Sequence, residues 1–378
     1  MSAQNLLKER IKQRIASGGP LPFEDFMEMA LYFPGLGYYN REMVAIGREG
    51  DFYTSPHLHP LFGAMIGKQL EEMWQWLSMP SEFHVVEMGA GMGWLALDIL
   101  NYLETRDIFN CLLYTIVEIN PSTKARQKEL LLKFGDKVNW TNSLINLEPV
   151  RGCFLSNELL DAFPVRLVEM DDELREIYVS IDDGNEFIEI MKPCGSEVLE
   201  YFGEFGVDVS DAMHAGHRTE VNLRIREWIR DISTRLERGF VITIDYGYPA
   251  DDYYSKERNR GTLLGYYKHQ TVENPYINIG EQDLTAHVNF SSVKKWGEDA
   301  GLRAIGFAPQ GPYLISLGID EVLAVMPSLA GDAFDVARIK GLLLPEGMGE
   351  SHKVLVQYKG KEDVKLRGFD LRNRMKYL

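Results

Sequence analysis

The stretch FHVVEMGAGMGWLALDIL, from Phe83 to Leu100, decides the fold of this chain. Its apolar start predicts a short strand, and the apolar residues after the glycines predict a helix. The glycines between them are Gly89, Gly91 and Gly93, which is the spacing G-x-G-x-G. A dinucleotide-binding turn requires G-x-G-x-x-G, but Trp94 stands where its last glycine is needed. Since glycine carries no Cβ, the turn favours close approach of the backbone to a ligand that has no phosphate.

A second strand and an acidic residue extend this pattern. Leu112 to Val117 form the predicted second strand, and Glu118 ends it, 25 residues after Gly93. A carboxylate at this position can accept hydrogen bonds from both hydroxyl groups of a ribose. Glu87, just before the glycines, can accept from the ligand's amine or from a neighbouring backbone N–H.

This order of elements resembles the class I methyltransferases, which bind S-adenosylmethionine. The elements are a strand, the G-x-G-x-G turn, a helix, a second strand and an acid. We therefore expect S-adenosyl-L-methionine as the cofactor. A glycine turn followed by an unrelated solvated Glu is the alternative. The residues expected around the cofactor are Glu87, Gly89, Ala90, Gly91, Gly93, Glu118, Ile119 and Asn157.

The composition is that of a globular protein that does not bind nucleic acid. The 378 residues are 45% apolar and 25% charged, and no apolar run reaches the roughly 18 residues of a membrane span. Lys plus Arg number 40 against 56 for Asp plus Glu, and the net charge of −16 repels nucleic acid and would attract a cationic partner, with simple solubility as the alternative explanation of the charge. Cys111, Cys153 and Cys194 form no C-x-x-C pair, which indicates a reducing compartment. We therefore expect a cytoplasmic protein without a cysteine zinc site.

Predicted strands and helices alternate after Phe83, which indicates a parallel sheet. The predicted fold class is α/β, a Rossmann-like class I methyltransferase sheet with helices on both faces, an N-terminal helical cap and an antiparallel β insertion. Leu7, Ile11 and Ile15 recur on one helix face, which favours a structural helix over a transit peptide. Further helices are predicted at about Leu61–Leu77, Gly93–Leu103, Asn120–Gly135, Glu220–Leu236 and Ser291–Ala300, and further strands at Val138–Trp140, Cys153–Leu155, Gly239–Ile244 and KVLVQY.

We expect two segments along the chain. Residues 1–60 are expected to form the helical cap and a loop that covers the site, and residues 61–378 the methyltransferase core. Within the core, alternating apolar and polar residues from Val165 to Ile190, around two turn signals, predict antiparallel strands in an insertion at about 165–215. A Tyr-rich irregular loop at about 246–288 is long and aromatic enough to form a lid.

Several longer stretches resemble one family, the MidA-type proteins, a branch of class I methyltransferases found in bacteria and mitochondria. These stretches are GPLPFEDFMEMALYFPGLGYY, GDFYTSPHLHPLFG, VVEMGAGMGWLALDIL, NELLDAFPV, IDYGY, RGTLLGYYKH and GEQDLTAHVNF. The resemblance implies a methyltransferase whose mitochondrial relatives modify an arginine on a respiratory complex I subunit and support the assembly of that complex. It also implies that Asp51 and Thr54 lie near the site, with Thr54 beside the cofactor and Asp51 in the substrate pocket.

The chain departs from the family pattern at two positions. His57 follows Thr-Ser-Pro where the family usually has an acid, and Asn289 stands where the family often has Asp. We assign no carboxylate role to either position, and His57 is expected in the substrate pocket. His57 and His59 are spaced i, i+2, but a metal would need further ligands beside them, so we predict no metal.

The stretch SNELLDAFP supplies the candidate catalytic residues Asn157, Glu158 and Asp161. It follows the fourth strand of the sheet, and ligands of open α/β sheets bind at the carboxyl ends of strands. If Glu158 opens a helical turn, Asp161 lies on the same face, and both acids can hold one guanidinium. The alternative is that the acids only complement the dipole of a helix N-terminus.

Aromatic residues after the strand IDYGY are candidates for the substrate pocket. Ring faces attract cations, so Tyr246, Tyr248 and His269 are expected to wall a pocket for a cationic side chain. Tyr266 and Tyr267 are further candidates, and ordinary core packing explains each ring alone equally well.

The function expected from all these features is a methyltransferase that uses S-adenosyl-L-methionine to methylate an arginine of a protein. The expected partner is a protein with an exposed arginine, such as a respiratory-complex subunit. The alternatives are a small-molecule methyltransferase and a cofactor-binding assembly factor without turnover. Trp94 disfavours an NAD-linked oxidoreductase.

Overall fold

The structure, a computed structural model, describes residues 3–41 and 55–378, except for the side chains of Pro56 and His57. The predicted site residues Asp51 and Thr54 therefore lie outside the described residues, and of His57 only the helical backbone is described. The chain divides into two compact units. The first unit consists of Met1–Phe52, Leu160–Glu227 and Tyr248–Ser292, and the second of Tyr53–Leu159, Trp228–Gly247 and Val293–Leu378.

Within the described residues, strands and helices are numbered in chain order. The strands are β1 (Leu21–Pro22), β2 (Phe83–Met88), β3 (Leu112–Val117), β4 (Val138–Thr141), β5 (Val150–Asn157), β6 (Arg166–Met170), β7 (Leu174–Ile181), β8 (Phe187–Pro193), β9 (Arg218–Val221), β10 (Leu236–Tyr248), β11 (Leu264–Tyr267), β12 (Gln270–Val272), β13 (Asp283–Thr285), β14 (Val288–Asn289), β15 (Arg303–Pro309) and β16 (His352–Lys359). The α-helices are α1 (Ala3–Gly18), α2 (Phe23–Tyr32), α3 (Ser55–Leu58), α4 (Leu61–Trp76), α5 (Trp94–Leu103), α6 (Pro121–Leu130), α7 (Ser196–Glu204), α8 (Val209–Ala212), α9 (Arg224–Arg235), α10 (Ala250–Tyr253), α11 (Phe290–Asp299), α12 (Gln310–Ser316), α13 (Ile319–Val325), α14 (Ala333–Leu343) and α15 (Met348–Ser351). Among these described helices, none combines the length and the apolarity needed to cross a bilayer.

A mostly parallel sheet forms the second unit, with the strand order β15-β16-β10-β5-β2-β3-β4. β2 is parallel to β3 and to β5, and β5 is parallel to β10. β16 is antiparallel to both of its neighbours, β10 and β15. The strands bury apolar runs such as Phe240–Ile242, as expected for a sheet covered on both faces. The predicted α/β class is confirmed, and the strand order reverses between β2 and β5, where open α/β sheets bind ligands.

Helix α6 begins as the sequence predicts. Oδ1 of Asn120 accepts from the backbone N–H of Ser122 at 2.9 Å, and Pro121 occupies the first helical position. This cap satisfies N–H groups that have no partner within the helix. The helix ends at Leu130, earlier than the predicted stop at Gly135, which lies in the 3-10 turn that follows.

Antiparallel strands form the sheets of the first unit. The larger sheet has the order β1-β7-β6-β9, with β8 also paired to β7, and a small sheet has the order β12-β11-β13. The predicted insertion is present as β6, β7 and β8. Helix α1 buries Leu7, Ile11 and Ile15 in a core shared with Phe23 and Val179, so the predicted N-terminal helix is confirmed.

Two segments of the chain differ from the prediction. The helix expected from Glu220 begins at Arg224, because Arg218–Val221 forms β9 and pairs with β6. The segment 246–288, expected to be an irregular loop, contains the short strands β11, β12 and β13. A strand as short as β9 is stabilised by cross-strand pairs with distant residues, so a local pattern does not reveal it.

Candidate active site

The glycine turn between β2 and α5 has a left-handed backbone at three positions. The φ angle is 72° at Gly89, 51° at Gly91 and 87° at Gly93, a region that residues with side chains rarely adopt. A Cβ at Gly89 would lie 2.9 Å from Cδ1 of Leu159, so a side chain at this position would displace the Leu159 side chain. The N–H of Gly93 donates to the Ala90 carbonyl at 2.8 Å and closes the turn. The turn therefore presents bare backbone at the point where the strand order reverses.

Glu87 on β2 is buried beside Tyr114 on β3. The Tyr114 hydroxyl donates to Oε2 of Glu87 at 2.8 Å. Burial raises the pKa of Glu87 to about 7, and the hydrogen bond from Tyr114 opposes that rise. The group next to the glycine turn is therefore a carboxyl whose charge changes near neutral pH.

Glu118, directly after β3, is held by a donor on each carboxylate oxygen. The Asn120 N–H donates to Oε1 at 2.7 Å, and Nε2 of Gln127 donates to Oε2 at 3.2 Å. The same Nε2 donates to the carbonyl oxygen of Gly91 at 2.7 Å. The Trp140 indole donates to Oε1 of Gln127 at 3.0 Å and fixes the amide. Burial is the main cause that raises the pKa of Glu118.

Gln127 therefore connects the acid to the glycine turn, and the sequence interpretation missed it. It is fully buried on α6. Its only signal in the sequence is a polar residue in the helix that follows the acid. Because the amide is satisfied by three partners from different elements, its role becomes visible only when those elements are packed together.

The residues around the turn fit S-adenosyl-L-methionine. The two oxygens of Glu118 are held by Asn120 and Gln127, and a carboxylate fixed in this way suits the vicinal hydroxyls of a ribose. Ile119 is 58% exposed and Trp94 is 40% exposed, which leaves apolar surface beside the turn for a flat base. Bound there, the cofactor supplies a methyl group on a cationic sulfur.

Glu158, directly after β5, has an unusual backbone conformation. Its φ of 50° lies in the left-handed region, which costs a residue with a side chain roughly 1–2 kcal/mol. Its N–H donates to the Ile244 carbonyl at 2.8 Å. Oε1 accepts from the Ser55 N–H at 3.1 Å and from the Asn157 amide at 3.2 Å. Oε2 is buried and has no hydrogen-bond partner among the described residues.

Tyr246, His352 and Ser55 lie around Glu158. Nε2 of His352 is 3.6 Å from Oε1 of Glu158, and the rings of Tyr246 and His352 meet at a centroid distance of 5.6 Å. The Ser55 hydroxyl donates to Oε1 of Gln310 at 3.1 Å, which anchors the N–H that holds Glu158. The structure thus brings the predicted Asn157, Glu158 and Tyr246 together. His352 and Ser55 were missed, although Ser55 belongs to a stretch that the resemblance had marked.

Asp161 does not form a helical pair with Glu158. The predicted pairing requires a helix that opens at Glu158, but φ there is 50°, and only Leu160–Ala162 form a short 3-10 turn. The helical premise is therefore wrong, because the backbone of Glu158 turns to donate to Ile244. Asp161 belongs to the first unit, where it is buried and its carbonyl accepts from the Ala286 N–H at 2.9 Å. Its catalytic role stays a prediction.

The other predicted pocket residues lie in the first unit. The guanidinium of Arg258 lies 3.6 Å from the ring centre of Tyr248, so this ring already contacts a cation of the chain itself. His269 is exposed in the hairpin turn between β11 and β12, which gives no support to its predicted pocket role. Tyr266 and Tyr267 are half-buried on β11.

Comparison with known proteins identifies the cofactor. Residues 65–308 match the Methyltransf_28 family of S-adenosyl-L-methionine-dependent methyltransferases. The solved structure of a COG1565 superfamily member from Burkholderia thailandensis, bound to S-adenosyl-homocysteine, is 31% identical to this chain. It superposes with a TM-score of 0.90 over 100% of this chain and 97% of its own. The predicted cofactor, S-adenosyl-L-methionine, is confirmed.

Curated relatives lead to the same family. The mitochondrial protein arginine methyltransferase NDUFAF7 homolog of Drosophila melanogaster is 26% identical over 343 residues, 83% of this chain and 75% of the relative. Mitochondrial NDUFAF7 of Mus musculus is 26% identical over 369 residues, 89% of this chain and 80% of the relative. Both relatives are named as mitochondrial, which overturns the prediction of a cytoplasmic location. The predicted MidA resemblance is confirmed: the chain belongs to the MidA-like family of S-adenosyl-L-methionine-dependent methyltransferases.

Proposed function

We propose that the chain methylates arginine side chains of a protein substrate. The observation that carries this proposal is Oε2 of Glu158, a buried carboxylate oxygen without a donor among the described residues. A buried carboxylate oxygen without a donor is costly, and a guanidinium N–H is the kind of donor that would satisfy it. The names of the two mitochondrial relatives, both protein arginine methyltransferases, support the same acceptor.

The chemistry of the acceptor explains why a carboxylate is needed. A guanidinium is protonated at neutral pH and is therefore a poor nucleophile. Glu158 would fix the plane of the guanidinium and accept a proton as the new bond forms. Asn157 contributes by donating to Oε1, which leaves Oε2 for the substrate. A catalytic role for Asp161 is kept as a separate proposal.

The proposed partner is a protein with an exposed arginine. The net charge of −16 favours a cationic partner. The MidA resemblance adds a respiratory-complex subunit as the candidate target.

Transfer of labelled methyl groups into a native lysate tests this function. We expect the label on arginine side chains of protein after digestion. Glu158→Gln, which keeps the shape but not the charge, is expected to lower transfer by about 10²-fold or more while calorimetry shows unchanged affinity for S-adenosylhomocysteine. Asp161→Asn is the second variant, and the same outcome is expected for it.

Glu237→Gln is the matched control. Glu237 lies at the opposite end of β10, where it is exposed and pairs with Arg151 at 2.6 Å. We expect this variant to keep wild-type transfer. Label found only in small molecules would contradict the protein substrate, and full transfer by Glu158→Gln would contradict the role of the carboxylate.

A further inference from the structure

His352 reaches the edge of the sheet at which Glu158 lies because β16 is antiparallel to β10. Asn157, the last residue of β5, pairs with Ile244 of β10, and Tyr246 of β10 pairs with His352. The first residue of an antiparallel strand therefore lies beside the last residues of the parallel ones. His352 is 5% exposed, so a titratable group is buried at this edge.

The imidazole of His352 faces Glu158 with one nitrogen and Ser351 with the other. Nε2 lies 3.6 Å from Oε1 of Glu158, and Nδ1 lies 3.1 Å from Oγ of Ser351. In the part of the chain that the structure describes, neither Nε2 of His352 nor Oε2 of Glu158 has a hydrogen-bond partner. The Glu158 side chain is only 4% exposed. Two buried polar atoms so close together, both without partners among the described residues, indicate a site that a further donor completes.

The other charged groups near the imidazole have partners of their own. Asp245 accepts from two backbone N–H groups, at 3.2 Å and 2.9 Å. Lys353 donates to two backbone carbonyl oxygens, and Glu350 pairs with Arg374 at 2.8 Å. Among the described residues of this unit, the carboxylate left to the imidazole is therefore Glu158.

We propose that His352 acts through Glu158 and takes up the proton that arginine methylation releases. The proposal rests on the proposed function, because it requires a guanidinium bound at Oε2 of Glu158. Nε2 must carry a lone pair for this role. The proton then sits on Nδ1, from which it is donated to Ser351.

The reaction balances without a further reactant. The bond from the cofactor's sulfur to its methyl group breaks, and a bond between that methyl group and a guanidinium nitrogen forms. One N–H bond of the guanidinium breaks, so the methylated product keeps a single positive charge. The proton moves to the Glu158 carboxylate and then to Nε2 of His352, which restores the carboxylate, and the imidazolium releases the proton to water before the next turnover.

Kinetics of two His352 variants test the proposal on an arginine peptide taken from the protein that the lysate experiment labels. His352→Gln keeps an amide near the position of Nε2 but cannot take up a proton. His352→Phe keeps a ring beside Tyr246 and removes both nitrogens. We expect kcat to fall by about 10²-fold in both variants, with KM for the peptide, Kd for S-adenosylhomocysteine and Tm close to wild type.

The dependence of kcat on pH distinguishes proton uptake by His352 from a purely structural role, which would leave this dependence unchanged. Because hydroxide can replace the missing proton acceptor, we expect kcat of His352→Gln to rise toward wild type between about pH 7 and about pH 9. His84→Gln on β2 is the matched control and is expected to keep wild-type kinetics.

The outcomes separate this proposal from the function on which it rests. If the wild-type protein places no label on arginine, the proposed function fails and this inference fails with it. If the wild type is active and both variants keep kcat within about threefold, only the role of His352 is overturned. The role of His352 is also overturned if, in both variants, the fall in kcat is accompanied by a rise in KM for the peptide and a fall in Tm. That pattern indicates that the ring contributes packing alone.

Discussion

The hydroxyl group of Tyr114 donates a hydrogen bond of 2.8 Å to the carboxyl group of Glu87 where both side chains are buried. Since burial raises the pKa of Glu87 to about 7, this group is mostly uncharged at about pH 6 and ionised at about pH 8. The ammonium group of an amino-acid ligand favours the ionised form. We therefore expect the calorimetric affinity for S-adenosylhomocysteine to rise about tenfold over this range. Glu87→Gln should show no such rise, and an equal rise in that variant would assign the pH dependence to another group.

Tyr114→Phe tests the hydrogen bond itself, since it removes the hydroxyl and keeps the ring. The bond from Tyr114 lowers the pKa of Glu87 against the effect of burial. Without it, we expect the midpoint of the pH dependence of S-adenosylhomocysteine binding to move to higher pH. The measurement is the same calorimetric series, and an unchanged midpoint would show that the hydroxyl does not tune Glu87.

Gln127→Ala is expected to weaken cofactor binding because three hydrogen bonds are lost at once. They join the amide to Gly91, Glu118 and Trp140. We expect Kd for S-adenosylhomocysteine to rise by about tenfold or more and the free energy of unfolding to fall by roughly 1–3 kcal/mol. Gln75→Ala, at an exposed position of α4, is the control. Equal Kd values for the two variants would contradict the connecting role of Gln127.

Gly89→Ala is expected to abolish cofactor binding. Its φ of 72° strains any residue with a Cβ, and that Cβ would lie 2.9 Å from Leu159. Gly135→Ala is a matched control, because its φ is 53° but a Cβ there meets no atom of the described residues within 4 Å. Both variants should lose stability through strain, because the backbone has a positive φ at both positions. Binding by Gly89→Ala with wild-type Kd would exclude the turn from the cofactor site.

Asp98→Asn is expected to flatten the dependence of stability on pH. Burial raises the pKa of Asp98 in α5 from 3.8 to about 7. Below the pKa that Asp98 has in the unfolded chain, both the folded and the unfolded protein hold the proton. As the pH rises toward 7, the unfolded state releases its proton first, so the free energy of unfolding falls, by at most roughly 4 kcal/mol.

Denaturant unfolding of wild type and Asp98→Asn between about pH 4 and about pH 8 measures this effect. The exposed Asp231 on α9 provides the control, and Asp231→Asn should keep the slope of the wild type. If the free energy of unfolding of Asp98→Asn falls with pH as steeply as that of the wild type, other groups cause the loss of stability.

Much of the fold could be predicted because its signals are local. The strand β3 has the bounds Leu112–Val117 that its apolar run predicted, and Asn120 caps α6 as expected. The glycine turn was recognisable because positive φ angles select glycine at each position separately. The prediction failed at β9, since a four-residue strand depends on its partner β6, which lies far away in the chain.

The candidate site could be predicted only in part. Asn157 and Glu158 follow an apolar strand, and this position alone marked them. The expected helical pairing with Asp161 failed because Glu158 adopts a φ of 50° that its backbone bond to Ile244 holds. That bond joins two strands, so the residues near Glu158 in the sequence carry no sign of it.

The sequence by itself determined the class of the sheet, the glycine turn and the acid Glu118, because hydrophobic periodicity and backbone conformation act over a few neighbouring residues. Only the tertiary structure decided which side chains meet at those positions. Gln127 joins Glu118 to Gly91 through packing of α6, and His352 reaches Glu158 because β16 enters the sheet antiparallel. Strand direction within a sheet is set by long-range packing, and no short stretch of sequence encodes it.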